Sequence, residues 1–128
     1  ELLGGDPPSV KKVSRARSRI AELVGALDPP CPDGVVVVGG TARAIGRIVG
    51  KRYGVDELDE LAESLTRAPA GSLTEPHGVT PERAHTLLGG TLVLAEIARL
   101  LDRQLEVGRS GLREGAALSL ARHAAAVA

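Results

Sequence analysis

The stretch VVVVGGTARAIGRI, residues 35–48, constrains the fold more than any other part of the chain. Val35 to Val38 do not alternate in polarity, so they predict a short strand buried on both faces, as in a parallel sheet covered by helices. Gly39 and Gly40 turn the chain. Thr41 then caps a helix whose inner face carries Ala44, Ile45, Ile48 and Val49. Strand, glycine turn and helix is also a layout that holds phosphate: backbone N–H groups approach the anion, and the helix N-terminus adds partial positive charge. Arg43 adds a guanidinium suited to a bidentate contact. The alternative is a tight turn that only packs a helix on a sheet, and no GxxxxGK[ST] signature separates the two.

The rest of the chain reads as mostly helical. Ser9 is a good N-cap, and Val10, Val13, Ala16, Ile20, Leu23, Val24 and Leu27 recur at helical spacing after it. Prolines and a glycine make a loop of residues 28–34. Asp56 caps an acidic amphipathic helix with Leu58, Leu61, Ala62 and Leu65 on its inner face. Ala68 to Gly78 reads as a surface loop. Thr80 followed by Pro81 and Glu82 starts a short helix. That helix is expected to stop at Gly89-Gly90, because glycine is a routine helix terminator. Thr91 then caps a second, central helix through Leu101. Gln104 to Val107 is a short strand, and an Ala/Leu helix closes the chain. The expected inventory is about six helices and two short strands. Two strands do not supply the neighbours that Val35 to Val38 need, so part of a larger α/β sheet is expected to lie elsewhere, with an open edge that invites pairing.

Composition narrows the function classes. At 128 residues, the whole chain (1–128) is expected to be a single domain with a sizeable core. That core must be aliphatic, since Phe, Trp and Met are absent and Tyr53 is the only aromatic. The missing methionine also suggests a processed piece of a longer protein. Net charge is zero, which argues against a general polyanion binder. A single aromatic leaves no stacking platform, so no nucleic-acid partner is expected. One cysteine, Cys31, excludes an internal disulfide and a Cys-based zinc site, and the composition fits a reducing cytoplasm. No apolar run is read as approaching about 20 residues, so no membrane span is expected.

Three blocks, VVVVGGTARAIGRI, HGVTPERAHTLLGGTLVLAEIARLL and SGLREGAALSL, follow in an order and spacing that resembles the exopolyphosphatase / guanosine pentaphosphate phosphohydrolase (Ppx/GppA) family. The opening LLGGDPPS is similar to that family's lead into the helix after its second phosphate loop. The resemblance covers most of the chain. It implies one part of a two-lobed, actin-like ATPase (ribonuclease H-like) fold. It also implies hydrolysis of inorganic polyphosphate or guanosine pentaphosphate by the intact enzyme, with a divalent metal such as Mg. The family's catalytic carboxylate and its DxGS and DxGGG loops are not found here. The chain therefore resembles the C-terminal half of the phosphatase core without its chemistry, and no catalytic residue, metal ligand or cofactor is assigned within it.

The resemblance places Gly39, Gly40, Thr41 and Arg43 on an inter-lobe cleft. Gly89 to Thr91 repeat the GGT tripeptide without a strand before it, and there a structural role is expected. Ser110, Gly111, Arg113 and Glu114 form a strand-to-helix turn, read as a motif that shapes the cleft floor or contacts ligand; Ser110 is a possible cap and Glu114 a possible partner for Arg113 or another arginine. Lys11, Lys12, Arg15 and Arg19 are either a solvated helix face or a stripe that steers a long polyanion. His77, His85 and His123 have no metal spacing. Two functions follow. One is the C-terminal lobe of a phosphohydrolase, inactive alone and completed by a missing N-terminal lobe. The other is a helical interaction module of the same fold that oligomerises, for example as a homodimer through its strand edge.

Overall fold

The computed structural model describes residues 3–127. In chain order they form α1 (Val10–Gly25), β1 (Val35–Val37), α2 (Gly40–Val49), β2 (Arg52–Tyr53), α3 (Val55–Arg67), α4 (Ala70–Thr74), α5 (Pro81–Leu101), β3 (Leu105–Val107) and α6 (Leu112–Val127). Residues Glu75–His77 make a 3-10 turn between α4 and α5. The helix-rich α/β class expected from the sequence holds, with six helices among the described residues. Their partition differs from the expected one.

The largest difference is at Gly89-Gly90. They do not end a helix but lie inside α5, which runs unbroken for 21 residues. Thr91 is therefore not a cap. It is fully buried, and its hydroxyl donates to the Leu87 carbonyl at 2.9 Å. Joining the two halves also makes α5 long and apolar enough to cross a bilayer, with mean hydropathy 1.3, where the sequence was read as having no such run. In this fold α5 is the core helix. Ala84, Leu87, Leu88, Leu92, Ala95 and Ala98 are buried, and α1, α2, α3 and α4 all pack on it.

The sheet has three strands in the order β1-β3-β2 among the described residues, not two. β1 runs parallel to β3, with Val35 opposite Leu105 and Val37 opposite Val107. The unexpected strand β2 is two residues long and antiparallel to β3, with Tyr53 opposite Leu105. Parallel β1 and β3 are bridged by α2, α3 and α5, and Val35, Val37 and Val107 pack against the core. The expectation that the valine run is buried on both faces fails: Val36 is 65% exposed and Val38 is 46% exposed. No described element covers that face, so alternate valines meet solvent.

The core is aliphatic, as composition demands. Ile45, Leu58, Leu65, Leu87, Leu92 and Leu105 are its largest fully buried aliphatic side chains. Each contributes roughly 1.5–3 kcal/mol relative to exposure. Tyr53 is buried among them, and its hydroxyl donates to the Ala42 carbonyl at 3.3 Å, tying β2 to α2. Burial pushes the Tyr53 phenol up to about 12. Residues 68–78, read as a surface loop, instead form α4 and the 3-10 turn, and bury Ala70 and Thr74. On the surface, Asp59 of α3 accepts from Arg17 of α1 at 2.6 Å and from Arg99 of α5 at 2.9 Å. α6 projects away, with Leu112 86% exposed and Leu120 72% exposed.

Caps also shift. Gly39 stands at the N-cap of α2, so Thr41 lies one residue inside the helix. Gly54 holds that place for α3 instead of Asp56, and its N–H donates to Glu57 Oε2 at 2.8 Å. Ser9 is at the N-cap of α1 as expected, but makes no side-chain cap. Its carbonyl accepts from the Lys12 and Val13 N–H groups at 2.9 and 3.1 Å.

Candidate anion recess

β1 ends where α2 begins, so the glycine turn delivers the α2 N-terminus to the rim of the sheet. The Gly39 carbonyl accepts the Arg43 N–H at 3.2 Å and closes the first turn. Gly40 opens the helix, and its lack of a side chain leaves space for a neighbour. The guanidinium of Arg83, from the first turn of α5, lies against its Cα. A Cβ at position 40 would collide with Arg83 Nη1. Two helix N-termini thus meet at one point, each bringing an arginine.

The result is a recess of about 450 Å³ lined by Gly40, Arg43, Ala44, Arg47, Val79, Thr80 and Arg83. Arg43 and Arg47 are four residues apart on α2 and so share a face. Arg47 Nη1 donates to the Gly78 carbonyl at 2.8 Å. The lining contains no carboxylate. Among the described residues, none of the ion pairs involves Arg43, Arg47 or Arg83. Placing Arg43 and Arg83 in first turns works against both helix dipoles, which favour anions there. Guanidinium groups without an ion-pair partner, beside two helix N-termini, are suited to an oxyanion with several acceptor oxygens.

Solved structures of other proteins share this architecture. The chain matches the crystal structure of the Aquifex aeolicus Ppx/GppA family member with a TM-score of 0.82 at 20% identity, over 95% of this chain and 44% of that one. It matches the type II variant of the A. aeolicus Ppx/GppA phosphatase with a TM-score of 0.80 at 20% identity, over 92% and 44%. An exopolyphosphatase-like protein aligns with a TM-score of 0.76 at 17% identity, over 94% and 46%. The fold is that of the Ppx/GppA phosphatase structures. No family model and no curated protein matches the sequence, so the likeness is one of structure. The chain spans less than half the length of these Ppx/GppA structures.

Of the residues singled out in the sequence, Gly40 and Arg43 line the recess, and Gly39 sets its turn. Thr41 points elsewhere. Its methyl packs on Gly90 in an apolar groove beside β1, lined also by Val37, Val38, Val93 and Leu94. Ser110, Gly111, Arg113 and Glu114 form the entry to α6 and are not part of the recess lining. Glu114 Oε2 accepts the Gly111 N–H at 2.9 Å, and among the described residues it makes no ion pair with Arg113 or any other arginine. Its carboxyl is held below the usual carboxylate range by its own backbone N–H first, then by Gly111 N–H, with the charge of Arg43 adding to both. The α6 entry therefore lies within electrostatic range of the α2 N-terminus.

The remaining sequence candidates lie apart from the recess lining. Lys11, Lys12, Arg15 and Arg19 are exposed on α1. Lys12 Nζ donates to the Gly4 carbonyl at 3.3 Å, and Arg19 pairs with Glu22 at 2.7 Å. Cys31 is exposed, as are His77, His85 and His123. The divalent metal implied by the Ppx/GppA resemblance does not fit the described residues. No group of three His, Cys, Asp or Glu comes together among them, and the recess concentrates cations.

Sequence reasoning missed Arg47 and Arg83. Arg83 sits at the third helical position after the Thr80 cap, in TPERA. A cation in a first helical turn is electrostatically misplaced. That misplacement, shared by Arg43 and Arg83, was the available signal.

Proposed function

We propose that this chain is the second lobe of a Ppx/GppA-type phosphohydrolase and supplies the phosphate-holding wall of its cleft. The observation that carries this reading is the Arg83 guanidinium seated on Gly40 at the α2 N-terminus, with Arg43 and Arg47 beside it and no carboxylate in the lining. The Ppx/GppA fold supports it. The substrate class is a phosphoanhydride, either inorganic polyphosphate or guanosine pentaphosphate. The intact enzyme draws its catalytic carboxylate and Mg from an upstream lobe.

In this reading Gly40 makes room for the Arg83 guanidinium at the N-terminus of α2, so that the anion meets both the arginine and the helix end. Arg43 and Arg83 hold phosphoryl oxygens in place and spread positive charge over them, which is the main protein contribution to phosphoryl transfer. The recess lining holds no carboxylate and no histidine to serve as a general base. The open edge of β1, the bare Val36 face and α6 are the places where the rest of such a fold joins. The basic face of α1 is then a steering surface, and the site of action is the cytoplasm.

The test is hydrolysis. The chain alone, given polyphosphate and Mg, is expected to release no phosphate, while the same chain joined to an upstream segment bearing DxGS and DxGGG loops turns over. Turnover by the isolated chain that disappears in Gly40→Ala or Arg43→Ala would overturn the division of labour.

A further inference from the structure

Arg47 differs from the other two arginines of the recess. The guanidinium groups of Arg43 and Arg83 make no hydrogen bond to protein among those found in the described residues, whereas Arg47 Nη1 is committed to the Gly78 carbonyl at 2.8 Å, 31 residues away. Gly78 is the pivot of the segment that leads into α5. Its N–H donates to the Glu75 carbonyl at 3.0 Å, and the next N–H, of Val79, donates to the Thr74 carbonyl at 3.1 Å. Thr80 then caps α5, its carbonyl accepting from Arg83 and Ala84 N–H at 3.0 Å each. From Gly78 to Arg83 there are only five residues, and the last three are already helical. The contact therefore fixes one end of a short, stiff lever whose other end is the guanidinium on Gly40. Among the described residues it is the one side-chain hydrogen bond that joins α2 to this segment.

We propose that Arg47 is a positioning residue for the anion recess: by holding the Gly78 carbonyl it sets the α5 N-terminus against the α2 N-terminus and so aims Arg83 at Gly40. The inference rests on the phosphate-holding role proposed above. Arg47 suits the task because it stands in the last turn of α2, where a cation is favoured by the dipole. Val79 anchors the middle of the lever in the core, whereas Gly78 and Thr80 on either side of it are exposed, so the Arg47 contact is what holds the Gly78 end. Local opening of such a segment needs little free energy.

The test compares the wild-type chain with Arg47→Ala, Arg47→Lys and Arg83→Ala. Amide hydrogen exchange is read at residues 78–83, and tripolyphosphate binding is read by calorimetry at several salt concentrations. In Arg47→Ala the hydrogen-bonded amides of Gly78, Val79 and Arg83 are expected to exchange about tenfold faster while those of α3 stay unchanged, because the loss is local. Affinity for tripolyphosphate falls about fivefold, and its salt dependence weakens less than in Arg83→Ala, since the recess loses a nearby charge but the anion loses no direct partner. Arg83→Ala removes a direct partner and flattens the salt dependence. Arg47→Lys keeps a donor of similar reach and is expected to restore the exchange pattern. Unchanged exchange at 78–83 in Arg47→Ala would overturn the proposal. So would an Arg47→Lys chain, folded elsewhere, that is as loose there as the alanine variant, or a flattened salt dependence matching that of Arg83→Ala. A wild-type chain that binds no tripolyphosphate overturns the phosphate reading instead, and the exchange comparison still decides whether Arg47 holds the lever.

Discussion

The Cγ2 methyl of Thr41 occupies the space that a side chain at Gly90 would need, so the two Gly-Gly-Thr tripeptides of this chain are in contact. The first opens α2 and the second lies in the middle of α5. Glycine at 90 lets these helices approach closely, and the helix continues through it because packing outweighs the roughly 1 kcal/mol propensity cost of a helical glycine. Gly90→Ala is expected to destabilise the chain by about 1–2 kcal/mol through overpacking. Gly90→Ala with Thr41→Ser, which removes the methyl, is expected to regain that loss and gain propensity. Urea unfolding of the four members of this double-mutant cycle checks it. Additive effects would show that the two residues do not meet.

Gly40→Ala makes a different prediction, because the atom in its way is the far end of an exposed arginine. Arg83 can swing aside, so stability is expected to change by less than about 1 kcal/mol. Tripolyphosphate affinity is expected to fall about tenfold, roughly 1.4 kcal/mol, as the guanidinium leaves the α2 N-terminus. Thermal melting and calorimetry on the same sample separate the two.

Tyr53 gives the fold an alkaline limit. Its phenol is raised by burial from about 10 to about 12. The neutral form is favoured on folding, so its contribution is intact below pH 10 and is lost as pH rises towards 12. At about 1.4 kcal/mol per unit, the loss approaches roughly 2–3 kcal/mol. Tyr53→Phe is expected to remove this pH dependence while losing about 1 kcal/mol at neutral pH with the hydrogen bond to Ala42. Denaturant titrations between pH 8 and 12 measure both.

Asp59 joins three helices through Arg17 and Arg99, but the side chains are 33–42% exposed. Asp59→Ala is expected to cost only about 1 kcal/mol, and less in high salt, because exposed pairs are screened. Unfolding in low and high sodium chloride tests this.

Much of the fold was legible where local signals and tertiary packing agree. Thr80-Pro81 starts α5 as expected, and β1 and β3 lie where Val35 and Leu105 placed them. β2 was not legible, because Arg52 and Tyr53 are too few to show an alternation and pair only once β3 is beside them. α4 was hidden in a segment rich in Pro and Gly, and is held by Ala70 and Thr74, which become buried only on α5. Gly89-Gly90 misled because a helix stop and a close helix crossing use the same residue. At the site, the strand-turn-helix of Gly39 to Arg43 was visible, being continuous in sequence. Arg83 was not, since its meeting with Gly40 is made by the crossing of α2 and α5 and leaves no periodic trace.

The central claim is that this lobe holds phosphate through Arg43 and Arg83 without acting on it. Calorimetric titration of the isolated chain with tripolyphosphate at low salt, with free phosphate assayed in the same cell, tests it most directly. Saturable binding that is lost in Arg83→Ala and in Arg43→Ala, with no phosphate released, is the result expected. Binding that is unchanged in both variants would contradict it.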